Sequence, residues 1–313
     1  MTATDTAVET PAPTATPPAR RRRRRSSGLA LLFLLPALAV FAVFIFYPLV
    51  RSVILSFQGV DIIGRPGAFV GTANYARLFS DPGFLKVLGV TAAFTVLTVV
   101  PSIVGGLAIA LLLQQKIRAI RFFRTAFALP FAFSVATASV VFQVLYNPAS
   151  GVLNGLLSYL GVDPVRWLTN PTLALFSVAL ATVWMQIGYN LLVLSAGLGA
   201  MDEEVLEAAR LDGASGLRLQ RSIVLPLITP QLFFLVVTGT IHSLQSFGQI
   251  RILTRGGPEG NTTTLVYSIF EQAFDYNNSN FGYASAQALV LLLVVLVITA
   301  VQFGILERKV FYR

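Results

Sequence analysis

The apolar residues of the chain gather into six long runs, separated by charged stretches or by stretches rich in Gly, Pro and Asn. About 20 mostly apolar residues are needed to cross the hydrocarbon core of a bilayer, and each run reaches that length. The pattern therefore predicts an all-α integral membrane protein with six transmembrane helices, at Leu29–Val50, Val87–Leu113, Ala126–Tyr146, Leu173–Ala200, Leu227–Ile250 and Ala284–Leu306.

The positive charges orient these six helices. The run Arg20–Arg25 precedes the first helix, so the N-terminus is predicted to be cytoplasmic. With six crossings, the connections 114–124 and 201–226 and the C-terminal tail then lie on the cytoplasmic side as well. Together with the run Arg20–Arg25, these segments hold about sixteen of the 23 Lys and Arg residues, as the positive-inside rule requires. We therefore expect both termini inside and the longer connections 51–86, 147–172 and 251–283 outside.

The ends of the chain differ from its centre. Residues 1–28 combine a Thr, Ala and Pro-rich stretch with the arginine run, and they lack the apolar surface that would offset ordering entropy. We expect a disordered basic tail there, a six-helix transmembrane domain over 29–306 and a cytoplasmic tail over 307–313. The first apolar run is too long for the core of a signal peptide and lacks a small-residue cleavage site.

The amino-acid composition limits the class of protein and the kinds of functional site that the chain can contain. Hydrophobic residues make up 55% of the chain and charged residues 12%, which excludes an ordinary soluble domain. The absence of cysteine and the single histidine exclude disulfides and leave no metal-ligand cluster. The net charge of +9 is compatible with nucleic acid or anionic lipid. Because much of it is the run Arg20–Arg25 beside a membrane span, membrane lipid is favoured over nucleic acid.

The connection 201–226 contains a predicted helical hairpin. Asp202 is a candidate N-cap, and the carboxylates of Glu203 and Glu204 favour the positive end of a helix dipole. The helix is expected to stop at Asp212-Gly213, because glycine readily adopts the left-handed conformation that ends a helix, and Ser215 is placed to begin a second one. The small side chains around this turn would let another protein approach the backbone closely. A hairpin that only joins two spans is the alternative.

The hairpin motif resembles the EAA loop of permease subunits of ATP-binding-cassette (ABC) importers. The matching residues are Glu207, Ala208, Ala209, Asp212, Gly213 and Ala214, followed by Ile223, Leu225 and Pro226. The resemblance implies a type I importer permease fold in which the first six of these residues dock into a cytoplasmic ATPase.

Further motifs are similar to the carbohydrate-uptake branch of these permeases. They include Leu253-Thr254, Gly256-Gly257-Pro258 and Thr263-Thr264-Leu265 after the fifth span, and Asn147-Pro148 after the third. The fourth span and the C-terminal tail look closest to glycerol-3-phosphate permeases. This resemblance covers about residues 29–313.

Uncharged polar residues in the spans are candidates for a solute pathway, because polar groups in hydrocarbon are costly unless they pair or face water. Direct helix-to-helix hydrogen bonding is the alternative role. Resemblance to maltose permeases implicates Phe131, Thr182, Met185, Gln186, Tyr189, His242, Ser243 and Ser246, and Asn190 and Gln245 lie among the same polar positions.

The chain has no GxxxxGK[ST] loop, so ATP hydrolysis is expected in a partner. The resemblance implies a non-enzymatic permease subunit in a bacterial cell membrane, with no cofactor of its own. Its implied partners are a second homologous permease, an ATPase dimer that binds ATP and Mg²⁺, and an extracytoplasmic solute-binding lipoprotein.

The expected solute is glycerol-3-phosphate, a glycerophosphodiester or a related sugar, and a neutral di- or oligosaccharide is the alternative. A secondary transporter commonly needs an intramembrane charge for its coupling ion, and an intramembrane enzyme needs a nucleophile with a base. The spans show neither pattern.

Overall fold

The computed structural model describes residues 27–60, 66–114, 119–274 and 279–307, with side chains for all of these except 27–31 and 66. Its elements in chain order are α1 (Ser27–Phe41), a π-helical turn (Ala42–Phe46), α2 (Tyr47–Ser56), β1 (Gln58–Val60), β2 (Pro66–Phe69), α3 (Ala73–Ser80), α4 (Pro82–Leu112), α5 (Ile120–Ala128), a 3₁₀ turn (Leu129–Ala132), α6 (Val135–Leu145), α7 (Val152–Tyr159), α8 (Ala174–Gly199), α9 (Glu203–Leu211), α10 (Gly216–Leu219), a π-helical turn (Gln220–Val224), α11 (Leu225–Leu227), α12 (Thr229–Leu244), α13 (Gly248–Leu253), α14 (Leu265–Phe274) and α15 (Phe281–Leu306). The arginine run 20–25 and the tail residues 308–313 lie outside the described residues.

The chain divides into two compact units, Met1–Val50 and Arg51–Arg313. In the first unit, every described side chain from Leu32 to Val50 is exposed, although nearly all are apolar. Such a helix is suited to hydrocarbon rather than water. Among the residues whose side chains are described, every buried one belongs to the second unit.

Within the described residues, four helical stretches are long and apolar enough to cross a membrane, namely Leu32–Ser56, Pro82–Leu112, Ala174–Gly199 and Phe281–Leu306. They correspond to the first, second, fourth and sixth predicted spans. Up to six crossings result if two bent helix pairs each count as one span.

The third predicted span, Ala126–Tyr146, is wrong as a single helix. The stretches Ile120–Ala132 and Val135–Leu145 meet at an angle of 103°. Proline at position 130 removes a backbone donor, and Ser134 takes an extended backbone and caps α6 by accepting a hydrogen bond from the Thr137 amide at 3.1 Å. The break therefore lies within an apolar run that a hydropathy window reads as continuous.

The fifth predicted span, Leu227–Ile250, is also divided. Its main helix, α12, has 16 residues, which corresponds to about 24 Å and is shorter than a hydrocarbon core. A bend of 67° precedes it at Ile228, and the chain breaks again at residues 245–247 before α13 begins. The side chain of Thr264 donates to the carbonyl of Ser246 in this second break, at 3.2 Å.

The all-α prediction omitted a short antiparallel ribbon of β1 and β2, in which Gln58 pairs with Phe69. The ribbon is fastened to the helices by Asn74. Its amide nitrogen donates to the carbonyls of Ser56 and Gln58, at 2.8 and 2.9 Å.

Helices α4 and α8 form the central contact of the second unit. A side chain at Gly106 would lie 2.7 Å from the Asn190 Cβ, so only glycine permits this close approach. Around this contact a buried apolar cluster forms, with Leu191, Leu194 and Ile228 fully buried. The bent segments pack against this pair of helices, α4 and α8.

Candidate functional site

A cavity of about 600 Å³ lies where the broken segments meet α8. One wall comes from the bend between α5 and α6, the second from the middle of α8, and the third from the end of α12 and the start of α13. Its lining residues are Pro130, Phe131, Phe133, Val135, Thr182, Met185, Gln186, Tyr189, Asn190, Thr238, Gly239, His242, Gln245, Ser246, Phe247, Gly248 and Gln249.

Nine of the ten predicted pathway residues line this cavity. Ser243 does not. Its side chain is fully buried on the other side of α12, where its hydroxyl shares a 2.7 Å hydrogen bond with the hydroxyl of Thr98 in α4. Ser243 therefore takes the alternative role of joining two helices.

The prediction missed Phe133, Val135, Phe247 and Gly248, which reach the cavity only because the chain bends. The signal for the first bend was Pro130 followed by Ser134 and Thr137, a helix-stop and helix-start pattern inside an apolar run. We found no comparable sequence signal for the break at residues 245–247.

Two glycines allow the bent segment between α5 and α6 to pack closely against α8 and α13. A Cβ at Gly188 of α8 would lie 2.8 Å from the carbonyl oxygen of Ala128 and 3.1 Å from the Phe131 amide nitrogen. A Cβ at Gly248 of α13 would lie 2.9 Å from a methyl carbon of Val135. Real Cβ atoms essentially never come within 3.0 Å of another heavy atom, as one would at each of these two positions, so both glycines set how near the bend comes to the cavity.

The lining combines aromatic faces with uncharged polar groups. The rings of Phe131 and Tyr189 lie 5.3 Å apart, and those of Phe133 and Trp184 lie 5.9 Å apart behind them. The Gln186 side-chain oxygen accepts a 3.3 Å hydrogen bond from the Ser102 hydroxyl. None of the described lining residues is Asp, Glu, Lys or Arg, and His242 is exposed to the cavity. Such a surface suits a hydroxylated solute, with His242 as its one candidate cation among the residues described.

The hairpin at 201–226 forms a second candidate site. Helix α9 spans Glu203–Leu211, as predicted, and Gly213 takes a left-handed φ of +83°. The amide of Gly213 donates to the Arg210 carbonyl at 3.0 Å, and the amide of Ala214 donates to the Ala209 carbonyl at 2.9 Å. These two bonds form the Schellman motif that ends a helix.

The six predicted coupling residues divide by exposure. Glu207, Ala208, Asp212 and Gly213 are exposed, whereas Ala209 is buried and Ala214 half-buried against the apolar cluster of α4 and α8. Beside Gly213, Leu211 is 89% exposed and Leu217 is 67% exposed. Large apolar side chains on both flanks of a bare turn are typical of a protein-docking surface.

Comparisons with known proteins show the family to which the chain is related. Residues 92–312 match the family described as binding-protein-dependent transport system inner membrane component. The sn-glycerol-3-phosphate transport system permease protein UgpA of Agrobacterium fabrum is 36% identical over 287 residues, covering 91% of this chain and 96% of the relative. The protein of the same name from Brucella abortus is 37% identical over 282 residues, covering 89% of this chain and 94% of the relative.

The fold is also similar to a solved structure. A chain of a bacterial ABC transporter involved in the import of the acidic polysaccharide alginate superposes with a TM-score of 0.79. The alignment covers 90% of this chain and 96% of that chain, at 22% sequence identity. At this identity the likeness shows the shared fold.

The clash predicted at Gly248 gives a test of the cavity geometry. Gly248→Ala is expected to lower the apparent melting temperature in detergent, because the added methyl group meets a β-branched neighbour. Removing that neighbour's methyl groups in Gly248→Ala/Val135→Ala is expected to restore much of the loss, with a coupling of about 1 kcal/mol. Additive losses in the double variant, measured by thermal unfolding, would contradict the assigned contact.

Proposed function

Because the chain belongs to the family of binding-protein-dependent transport system inner membrane components, we propose that it is the permease subunit of an ATP-driven importer for sn-glycerol 3-phosphate or a glycerophosphodiester. The observation that carries the solute class is the 36–37% identity, over nearly the whole chain, to permeases named for sn-glycerol-3-phosphate transport. Family membership also argues against the secondary transporter and the intramembrane enzyme.

The importer assembles from several chains in this proposal. This chain supplies half of the translocation pathway, and a second homologous permease supplies the other half. An ATPase dimer binds ATP and Mg²⁺, and a solute-binding lipoprotein delivers the solute from outside a bacterial cell membrane. The N- and C-termini and the hairpin at 201–226 face the cytoplasm, while the connections 51–86, 147–172 and 251–283 face outside. The distribution of basic residues supports this orientation.

The cavity is proposed to hold the solute during translocation. Uncharged amides and hydroxyls match the hydroxyl groups of a polyol, and the Phe131 and Tyr189 rings offer apolar faces for its carbon skeleton. Among the described residues that line this central cavity, His242 is then the one that meets a phosphate, unless the second permease supplies the positive charge.

A neutral di- or oligosaccharide is the second candidate solute. It is favoured by one observation, which is that none of the described residues lining the cavity is Lys or Arg. A ligand screen on the solute-binding lipoprotein, followed by ATP-dependent uptake into proteoliposomes holding the assembled importer, tests the choice. Binding and uptake of sn-glycerol 3-phosphate support our proposal, and binding of neutral sugars alone would replace it.

The hairpin is proposed to couple the permease to ATP hydrolysis. Gly213→Phe is expected to leave the subunit inserted but to abolish most solute-stimulated ATP hydrolysis and uptake. A bulky residue strains the left-handed turn and covers the docking surface.

Gly161→Phe is the matched control. Gly161 also has a left-handed φ, of +72°, and its Cβ would likewise meet open space, but it lies in the connection predicted outside. We expect that variant to retain stimulation. Equal activity of the two variants would contradict a coupling role for the hairpin.

Replacing His242 distinguishes between an anionic and a neutral solute. If the solute is anionic, His242→Ala is expected to weaken transport of the phosphate form by roughly tenfold, since hydrogen bonds to charged groups contribute about 1.5–3 kcal/mol. A neutral ligand carried by the same importer loses a weaker bond and should be affected only a few-fold. Gln245→Ala, at an exposed uncharged position of the same cavity, is the control. Equal losses for both ligands in His242→Ala would count against the phosphate assignment.

A further inference from the structure

A second cavity, of about 390 Å³, lies among the connections that our proposed orientation places outside the membrane. Its walls come from the end of α6, from the connection 147–172 and from the residues that follow α13. They include the Asn147-Pro148 and Gly257-Pro258 motifs noted in the sequence. The role we derive for this cavity rests on the proposed transport function.

The walls of this outer cavity are held by hydrogen bonds within the protein. Buried Asn154 donates to the carbonyls of Pro148 and Val165, at 3.1 and 3.0 Å, and its side-chain oxygen accepts from the Trp167 indole nitrogen at 2.9 Å. The hydroxyl of Tyr146 donates to the Ser177 carbonyl at 2.8 Å. With these groups satisfied, the wall is a rigid, preformed surface.

Three polar side chains of this lining are available to a ligand. Gln143, Arg166 and Thr169 are exposed, and no hydrogen bond engages their side chains within the described part of the chain. They bring one amide, one guanidinium and one hydroxyl to the cavity. None of its described lining residues is Asp or Glu. A guanidinium beside neutral donors favours an anion, and a phosphate suits it best, because the planar fork of arginine matches phosphate oxygens.

The outer cavity is connected to the central one by two packed helices. Helix α6 contributes Val135 to the central cavity and Gln143 to the outer one, a separation of about 12 Å at 1.5 Å per residue. Helix α13 contributes Gly248 to the central cavity and Leu253 to the outer one, and it packs against α6. The two cavities therefore lie at opposite ends of one helix pair.

We propose that the outer cavity is an entry subsite that binds the phosphate group of the solute, through Arg166, before the solute reaches the central cavity. The two cavities then divide the recognition. The outer one binds the negative charge first, and the central one, whose described lining holds His242 but no Lys or Arg, then holds the whole solute.

The absence of cysteine from the chain allows a direct test by thiol labelling. Thr169→Cys is introduced into the assembled importer and treated with anionic and cationic methanethiosulfonate reagents of similar size. We expect the ratio of the anionic to the cationic labelling rate to be roughly fivefold higher at Thr169→Cys than at Ser150→Cys. That factor corresponds to a difference of about 1 kcal/mol, made up of about 0.5 kcal/mol of attraction for the anionic reagent and as much repulsion for the cationic one, at about 8 Å from the guanidinium in water. Ser150 is an exposed control in the same connection that does not line the cavity.

Adding Arg166→Gln is expected to remove this preference, and adding Arg166→Lys to retain most of it. The ratio of the two rates is used because it does not depend on the fraction of thiolate at the cysteine. Inorganic phosphate and sn-glycerol 3-phosphate are expected to slow labelling, whereas glycerol at the same concentration is not. A rate ratio that is unchanged by Arg166→Gln, or no protection by either anion, would overturn the subsite.

Two further outcomes separate the subsite from its alternatives. Protection by the solute-binding lipoprotein alone, regardless of added anion, would show a docking surface and overturn the proposal. If the importer carries no sn-glycerol 3-phosphate while phosphate still protects Thr169→Cys in an Arg166-dependent manner, the transport assignment fails and the anion site stands.

Discussion

The structure depends on one constraint, which is that a backbone that leaves the helical path in apolar surroundings must still satisfy its amides and carbonyls. At each break in the bent segments, a nearby side chain forms a hydrogen bond with a backbone group. Ser134 caps α6, the Thr229 hydroxyl donates to the Pro226 carbonyl at 2.6 Å, and Thr264 donates to the Ser246 carbonyl. Irregular backbone at this depth is tolerated where it lines a cavity, and two of these breaks lie beside the central cavity.

The same packing links the cavity to the hairpin. The apolar cluster that buries Ala209 and Leu219 of the hairpin also contains Leu194 and Ile228, and Tyr189 of the cavity packs against it. One contiguous core therefore touches both candidate sites. A shift of the hairpin would reach the cavity wall through packed side chains, because such cores change between discrete arrangements instead of deforming freely.

Much of this arrangement was predictable from the sequence, and its exceptions have physical causes. Apolar run length located α4, α8 and α15 to within about five residues, because bilayer thickness sets how long a span must be. Composition stays apolar across Pro130, so the 103° bend was not seen. Neighbouring helical positions point about 100° apart, which is why His242 faces the cavity while Ser243 faces α4. How closely two segments approach each other, as at Gly188, is decided by contacts between residues far apart in the chain. The neighbouring sequence therefore does not show it.

The most direct measurement is an electron cryomicroscopy structure of the assembled importer trapped with its solute and a non-hydrolysable ATP analogue. Our account predicts solute in contact with Tyr189 and His242, and the hairpin at 201–226 bound to the ATPase. Solute bound away from the bent segments of this chain, or a hairpin that touches no ATPase, would contradict it.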